Sequence, residues 1–204
     1  MKKQEKNNDF RVDPRIYPHL SASTSGYTLI EVLVAIAVFF IVVAGPTGFF
    51  IASVRGQRKV LSAREITDSS SYTLEYISRA LRMAKKAKTS ECIPNNTNYE
   101  IFNNGTGVRF LNYERKCREF LLSGSQLGER QSPDDKKVNL GNFLPLTPND
   151  LEISFIKFNI IGESQTDQLQ PRVTIYFEIQ KKGQPETKMR FQTTISQRDL
   201  DVEY

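Results

Sequence analysis

The sequence predicts an α+β protein in which a long N-terminal α-helix, its first half embedded in a membrane, packs on an antiparallel β-sheet. Three observations support this fold class. Residues 32–54 contain no charged side chain. Residues 55–88 lack proline and carry apolar residues at helical spacing. From residue 89 onward, short segments with period-two alternation are separated by turn residues, which is typical of antiparallel strands.

The composition of the 204 residues excludes several classes of protein. With 39% hydrophobic and 25% charged residues, the chain is neither a multi-span membrane protein nor wholly disordered. Two cysteines are too few for a disulfide scaffold or a four-cysteine zinc site. The single histidine, His19, precedes the processing point predicted below. The remaining chain therefore offers no histidine for metal binding or for acid–base catalysis.

The uncharged run is predicted to be one membrane-spanning helix. A bilayer core needs about 20 apolar residues in a helix, and a cleaved secretory signal has an apolar region of only about 7–15. Gly45 and Pro46 interrupt the run. Because proline forfeits a backbone hydrogen bond, we expect either a plain kink or local loosening of the helix there.

A carboxylate stands close to the start of this run, at Glu31. An acidic side chain at the centre of a membrane helix costs about 2.5–3.5 kcal/mol and less near the interface, so it needs a partner. The segment that contains it, Gly-Tyr-Thr-Leu-Ile-Glu at residues 26–31, resembles the signature of type IV pilins and type II secretion pseudopilins. Tyr27 stands where these families usually have phenylalanine.

The resemblance implies a pilin-like fold and a specific maturation. A prepilin peptidase would cut between Gly26 and Tyr27, and the new amine of Tyr27 would be N-methylated. Glu31 would pair with the Tyr27 amine of a neighbouring subunit during filament assembly. An α-amine titrates near pH 7.7–8.0, so it is mostly cationic at neutral pH and can neutralise a buried carboxylate.

The implied organisation has four parts. These are a leader at 1–26, a transmembrane and filament-core helix at 27–54, the amphipathic half of the helix at 55–88, and a β-rich soluble domain at 89–204. The implied partners are the prepilin peptidase, other pilin or pseudopilin subunits, the inner-membrane assembly machinery and the lipid bilayer. The protein would be a single-pass inner-membrane protein with its C-terminal domain outside, and then part of a surface pilus or a periplasmic pseudopilus.

The charge distribution around the run opposes this orientation. Four basic residues follow the run closely, and within 15–20 residues before it there are two, Arg11 and Arg15. The signature is the more specific guide, so the leader is assigned to the cytoplasm. The four basic residues are Arg55, Arg58, Lys59 and Arg64.

The soluble domain is predicted to contain six strands in one antiparallel sheet, with an irregular connection from Gly128 to Asp150. An apolar stripe on the helix would cover the sheet; it consists of Leu74, Ile77, Leu81 and Ala84. The predicted strands are Tyr99–Phe102, Val108–Tyr113, Cys117–Leu122, Leu151–Ile160, Arg172–Gln180 and Lys188–Ser196.

Cys92 and Cys117 both lie in the predicted exterior domain. An oxidising environment would favour a disulfide between them, and closing this loop would contribute roughly 3–4 kcal/mol. Two separate thiols are the alternative, because sequence does not determine the distance between them.

The sequence offers no catalytic motif, no cofactor site and no metal-ligand spacing. Asp134 and Asp135 are interpreted as solvated loop residues, and Asn104 with Thr106 as part of a turn. Basic residues between Arg79 and Lys88 raise a DNA-binding hypothesis. The leader holds five of the 28 basic and three of the 23 acidic residues, which leaves a net charge of only +3 after cleavage. Nucleic acid is therefore not an expected partner.

These observations leave three functions open, none of them enzymatic. The first is a minor pilin of a type IV pilus-like filament. The second is a type II secretion pseudopilin resembling the J-type subunits. The third is a binding domain anchored by a single span that is never cleaved.

Overall fold

A computed structural model describes residues 26–163 and 169–198. The predicted leader, apart from Gly26, lies outside these ranges. The chain divides into two units, with the boundary between Ile51 and Ala52. The elements, in chain order, are α1 (Leu29–Arg82), β1 (Glu100–Phe102), β2 (Gly107–Leu111), β3 (Cys117–Ser123), β4 (Gln126–Gln131), β5 (Leu144–Pro145), β6 (Leu151–Ile161), β7 (Arg172–Lys181) and β8 (Gln184–Ser196).

The first unit contains the apolar beginning of α1. The hydroxyl of Thr28 accepts a hydrogen bond from the Glu31 backbone N–H at 3.3 Å, so the sequence Thr-x-x-Glu caps the helix start. Among the described residues, α1 is the one helix long and apolar enough to cross a membrane. It remains helical through Pro46, where the Thr47 hydroxyl donates to the Val43 carbonyl at 2.8 Å. The kink at Gly45 and Pro46 stays a prediction.

The second unit contains two antiparallel sheets where the sequence predicted one. The first sheet has the order β1-β2-β3-β4-β5, and the second has the order β6-β7-β8. Pro145 ends β5, and Pro148 follows it in the connection to β6; proline cannot donate to a strand ladder. The sheets therefore separate at this connection, although the Ile153 N–H still donates to the Ser125 carbonyl at 2.8 Å.

Strand β4 corrects the prediction of an irregular connection from Gly128 onward. Its sequence, Gln-Leu-Gly-Glu-Arg-Gln, contains no β-branched or aromatic residue, so its local propensity for strand is low. A side chain at Gly128 would have its Cβ 2.4 Å from the Phe143 ring and 2.5 Å from the Leu144 carbonyl oxygen. Gly128 is thus required by the close packing of the following connection and not by a turn.

The core lies between the second half of α1 and the sheets. Ile77, Leu81 and Ala84 are fully buried, and Leu74 is half-buried against the same cluster. Leu74, Ile77 and Leu81 of the predicted stripe thus cover the sheets from α1, whereas Ala84 joins the same core from just beyond the end of the helix. Their buried neighbours from the strands include Val108, Phe110, Phe120, Ile156, Phe158, Ile175 and Phe177.

Helix α1 ends at Arg82, earlier than the predicted end at about Lys88. The reason is a change of backbone partner. The Lys85 N–H donates to the Leu111 carbonyl at 2.9 Å, and the Ala87 N–H donates to the Thr97 carbonyl at 2.9 Å. Met83 and Ala84 still donate to carbonyls of the last helical turn, and the backbone changes partner from Lys85 onward.

Candidate functional site

The candidate site begins with the two residues that precede the capped start of α1. Gly26 and Tyr27 are exposed and belong to no helix or strand, and the Tyr27 side chain is 81% exposed. A Cβ placed on Gly26 would have no heavy atom within 4 Å. Among the described residues, nothing crowds Gly26 at this peptide bond.

Glu31 lies in the first turn of α1, where the partial positive charge of the helix N-terminus favours a carboxylate. Its backbone is held by Thr28. Within residues 26–163 and 169–198, its carboxylate has no hydrogen-bond or ion-pair partner. A carboxylate in this position can form an ion pair with a cationic group of another molecule.

An apolar surface continues from Glu31 along one side of the helix. Tyr27 and Glu31 line a shallow concavity together with four apolar side chains of the following turns: Val32, Ala35, Ile36 and Phe39. These residues recur at spacings of three and four, which places them on one helix face. Phe40, Ile41 and Phe49 elsewhere on the helix are also largely exposed. Such a surface requires lipid or other apolar helices around it.

The second unit holds the two cysteines in a disulfide between Cys92 and Cys117, with their Cα atoms 5.4 Å apart. Both are buried in a small apolar cluster with Ala87, Ile93 and Leu111. The bond joins the segment after α1 to the start of β3. It fastens the end of the helix region to the first sheet.

The loop beside the disulfide is organised by Asp134. The backbone carbonyl of Asp134 accepts from the Cys117 N–H at 2.7 Å. Its carboxylate accepts from the Ser132 hydroxyl at 2.6 Å and from the Asn139 amide at 2.7 Å. The bond from Ser132, then that from Asn139, lowers the pKa of the Asp134 carboxyl below its ordinary value. The Asp134 carboxylate, which the sequence analysis interpreted as a solvated loop group, is thus engaged within its own loop.

Sequence reasoning missed a group of ion pairs within the second unit. Glu129 accepts from the Tyr76 hydroxyl at 2.9 Å and from Arg118 Nε at 2.9 Å. Burial, followed by the hydrogen bond to Glu129, raises the pKa of Tyr76. On the first sheet, Glu119 contacts Arg109 at 2.8 Å. In the strand register, Glu119 is opposite Arg109 on β2 and opposite Arg130 on β4. Opposite charges at paired strand positions are the sequence signal that could have predicted these ion pairs.

These ion pairs and hydrogen bonds join elements of the fold: Tyr76 on α1 with Glu129 on β4, and Arg109 on β2 with Glu119 on β3. In the part of the chain that the structure describes, no group of three or more His, Cys, Asp or Glu side chains is placed to bind a metal ion. Asn104 adopts a left-handed backbone conformation with φ of 55°, in keeping with a turn. Gly26, Tyr27 and Glu31 remain the candidate site predicted from the sequence.

Comparison with known families gives one match. Residues 22–45 match the family model described as the prokaryotic N-terminal methylation motif, which is the signature of type IV pilins and pseudopilins. The match contains Gly26, Tyr27, Glu31 and Gly45, and it confirms the resemblance recognised in the sequence. No curated protein and no solved structure matches the chain.

Proposed function

We propose that this chain is a minor pilin, a structural subunit of a type IV pilus-like filament and not an enzyme. The observation that carries the proposal is the methylation motif at residues 22–45, followed directly by a helix apolar enough to span a membrane. The choice of a minor over a major subunit rests on the large C-terminal domain.

Processing would occur at the bond between Gly26 and Tyr27. The open surroundings of Gly26 and the exposed position of Tyr27 outside the helix support this assignment. The prepilin peptidase would remove residues 1–26, and the new Tyr27 amine would then be methylated. The mature chain keeps the transmembrane and filament-core helix at 27–54, the segment at 55–88 that contains the second half of α1, and the β-rich domain at 89–204.

Assembly would proceed by lateral packing of the apolar helices. A filament core has little water, so an unpaired carboxylate there is costly. Glu31 would accept the cationic Tyr27 amine of the next subunit, and this contact would set the axial register. The exposed face formed by Val32, Ile36 and Phe39 supplies the apolar area that packs around the pair.

Before assembly, the subunit would be a single-pass protein of the inner membrane with its C-terminal domain outside. The disulfide between Cys92 and Cys117 supports this orientation, because disulfides persist in oxidising compartments. Assembly machinery in the inner membrane would then move the subunit into a cell-surface filament.

A second candidate is a type II secretion pseudopilin resembling the J-type subunits, because the same motif marks pseudopilins. The two functions differ in destination. A pilus subunit is recovered in filaments sheared from the cell surface, whereas a pseudopilus subunit stays in the periplasm. A third candidate, an uncleaved membrane anchor for a binding domain, retains residues 1–26.

Mass spectrometry of the membrane form tests the proposal. We expect an N-terminus at methylated Tyr27 in the wild type. Gly26→Val should retain Met1, because the added side chain blocks close approach to the backbone. Ser25→Ala serves as the control and should be processed normally. An intact Met1 in the wild type would overturn the pilin assignment and support the anchored binding domain.

A further inference from the structure

Three basic side chains mark the place where α1 leaves its uncharged run. Arg55, Arg58 and Lys59 are the first charged residues after Glu31. Their spacing of three and four places them on one face of the helix. All three are exposed, and none forms an ion pair or a side-chain hydrogen bond with another residue in the described ranges.

The three cations form one wall of a groove of about 600 Å³. The opposite wall comes from the β7–β8 hairpin, through Lys181, Gln184 and Thr187. We call this the basic groove. It lies entirely within the second unit and is formed by two separate parts of the chain, the helix and the hairpin.

The charge of the basic groove is not balanced by its own acids. Glu65 lines the groove, but its carboxylate is engaged by Lys181 Nζ at 2.7 Å. Glu186 is the other acidic side chain of the lining. Arg55, Arg58 and Lys59 therefore lie close together on one helix face, and Glu186 is the one acid of the lining that remains to balance their three positive charges. Like charges at these helical spacings repel, so an added anion stabilises the arrangement.

The position of the groove along the chain, directly after the uncharged run, points to the lipid headgroups as the source of this anion. The 23 uncharged residues from 32 to 54 rise about 35 Å as a helix, and the hydrocarbon core of a bilayer is about 30 Å thick. The next turn of helix thus coincides with the headgroup layer. Arginine and lysine bind phosphate oxygens through charge-assisted hydrogen bonds.

We propose that the basic groove binds the phosphate of anionic phospholipid headgroups in the leaflet where the membrane span ends. The proposal rests on the single span used in the proposed function, but not on cleavage or on filament assembly. It also accounts for the basic residues that follow the span against the positive-inside tendency. Their counter-ions would be lipids of that leaflet.

The test uses the full chain reconstituted in phosphatidylcholine vesicles, with trace spin-labelled phosphatidylglycerol or spin-labelled phosphatidylcholine as the probe. Electron spin resonance measures the motionally restricted fraction of each probe. Since each cation near a membrane surface favours anionic lipid by roughly fivefold, we expect at least about fivefold preference for phosphatidylglycerol at low salt. Arg55→Gln/Arg58→Gln/Lys59→Gln should reduce the preference to near unity, as should high salt.

The matched control removes three exposed cations outside the groove, in Lys88→Gln/Arg115→Gln/Lys137→Gln. It changes the net charge equally and should leave the preference within about twofold of the wild type. Any contribution of the leader is the same in all three chains. An unchanged preference in the groove variant, or an equal loss in the control, would overturn the proposal.

A further outcome would reassign the groove to an acidic surface of a neighbouring subunit. In that case the groove variant keeps its lipid preference but loses filament incorporation, which also overturns lipid binding. This test is independent of the proposed function as a pilin. A wild-type chain that is neither cleaved nor assembled can still show the lipid preference in vesicles.

Discussion

At the scale of single residues, Glu129 connects the helix to the first sheet. Its side chain accepts from Tyr76 on α1 and from Arg118 on β3. Arg118 also lies over the rings of Tyr76 and Phe120, at 5.1 Å from each centroid. Glu129 is only 7% exposed, so water cannot replace it as a partner for these groups.

Replacing Glu129 with alanine should lower the free energy of unfolding by about 2–3 kcal/mol, because Arg118 keeps its charge in a largely buried position without its acid. Chemical denaturation of the full chain in detergent measures the change. Glu114→Ala is the control, since its ion pair with Lys116 is exposed, and exposed pairs contribute little to stability because solvent screens them. Equal effects of the two substitutions would contradict the role assigned to Glu129.

Asp134 makes stability depend on pH. The pKa of its carboxyl is lowered in the folded state, first by the Ser132 hydroxyl and next by the Asn139 amide. A carboxyl with a lowered folded-state pKa stabilises the protein above its unfolded pKa, and this contribution disappears as pH falls through the folded value.

We therefore expect Asp134→Asn to unfold at a lower urea concentration than the wild type at about pH 7, with the difference narrowing below about pH 4. Urea titrations at several pH values measure this difference in the urea concentration at the unfolding midpoint. Asp135→Asn provides the control, because in the described ranges the Asp135 side chain accepts no hydrogen bond. A pH-independent difference for Asp134→Asn would exclude the ionised carboxylate as its cause.

At the scale of elements, the disulfide holds the segment between α1 and β1 against β3. This segment has little regular structure of its own: its backbone bonds run from Lys85 to Leu111 and from Ala87 to Thr97. The bridge closes a loop across 25 positions of sequence. Chain entropy lost on cross-linking the unfolded state is then the main source of stabilisation.

The double substitution Cys92→Ser/Cys117→Ser should lower the free energy of unfolding by roughly 3–4 kcal/mol in the absence of reductant. The wild type in reductant serves as a matched comparison and should move in the same direction, while the double variant should not respond to reductant. Alkylation of two thiols in non-reduced wild-type protein would disprove the bridge in solution.

At the scale of the whole molecule, the first part of α1 differs from the rest of the chain because it has no apolar partner among the described residues. In the first unit, none of the most apolar stretch of α1 is buried by other residues described in the structure. The second unit has a complete core without it. The first part of the helix therefore requires lipid or other apolar helices to cover it.

We expect Glu31→Gln and Glu31→Ala to reduce incorporation into filaments at least about tenfold, because the amine of the neighbouring subunit loses its acid. Quantitative immunoblotting of sheared filaments against total cell protein measures incorporation. Cleavage at Gly26–Tyr27 should continue, since Glu31 is not at the scissile bond. Glu114→Gln should incorporate normally, and normal incorporation of both Glu31 variants would refute the registration mechanism.

The sequence by itself determined the features that depend on order along the chain. The methylation motif, the uncharged run and the stripe of Ile77, Leu81 and Ala84 were all recognisable because each involves neighbours within a few residues or a regular spacing. The same local patterns predicted the α+β class. They also predicted the bounds of five of the six predicted strands to within about two residues. For the sixth, β8, the structure extends the start to Gln184.

Only the tertiary structure decided which distant segments meet. Strand β4 exists because β3 offers it a partner and Gly128 admits Phe143, although its own residues have low strand propensity. Tyr76 and Glu129 are 53 positions apart, and α1 ends at Arg82 because β2 and the segment before β1 take over the backbone bonds of Lys85 and Ala87. Such contacts depend on the arrangement of the whole chain, so no local pattern encodes them.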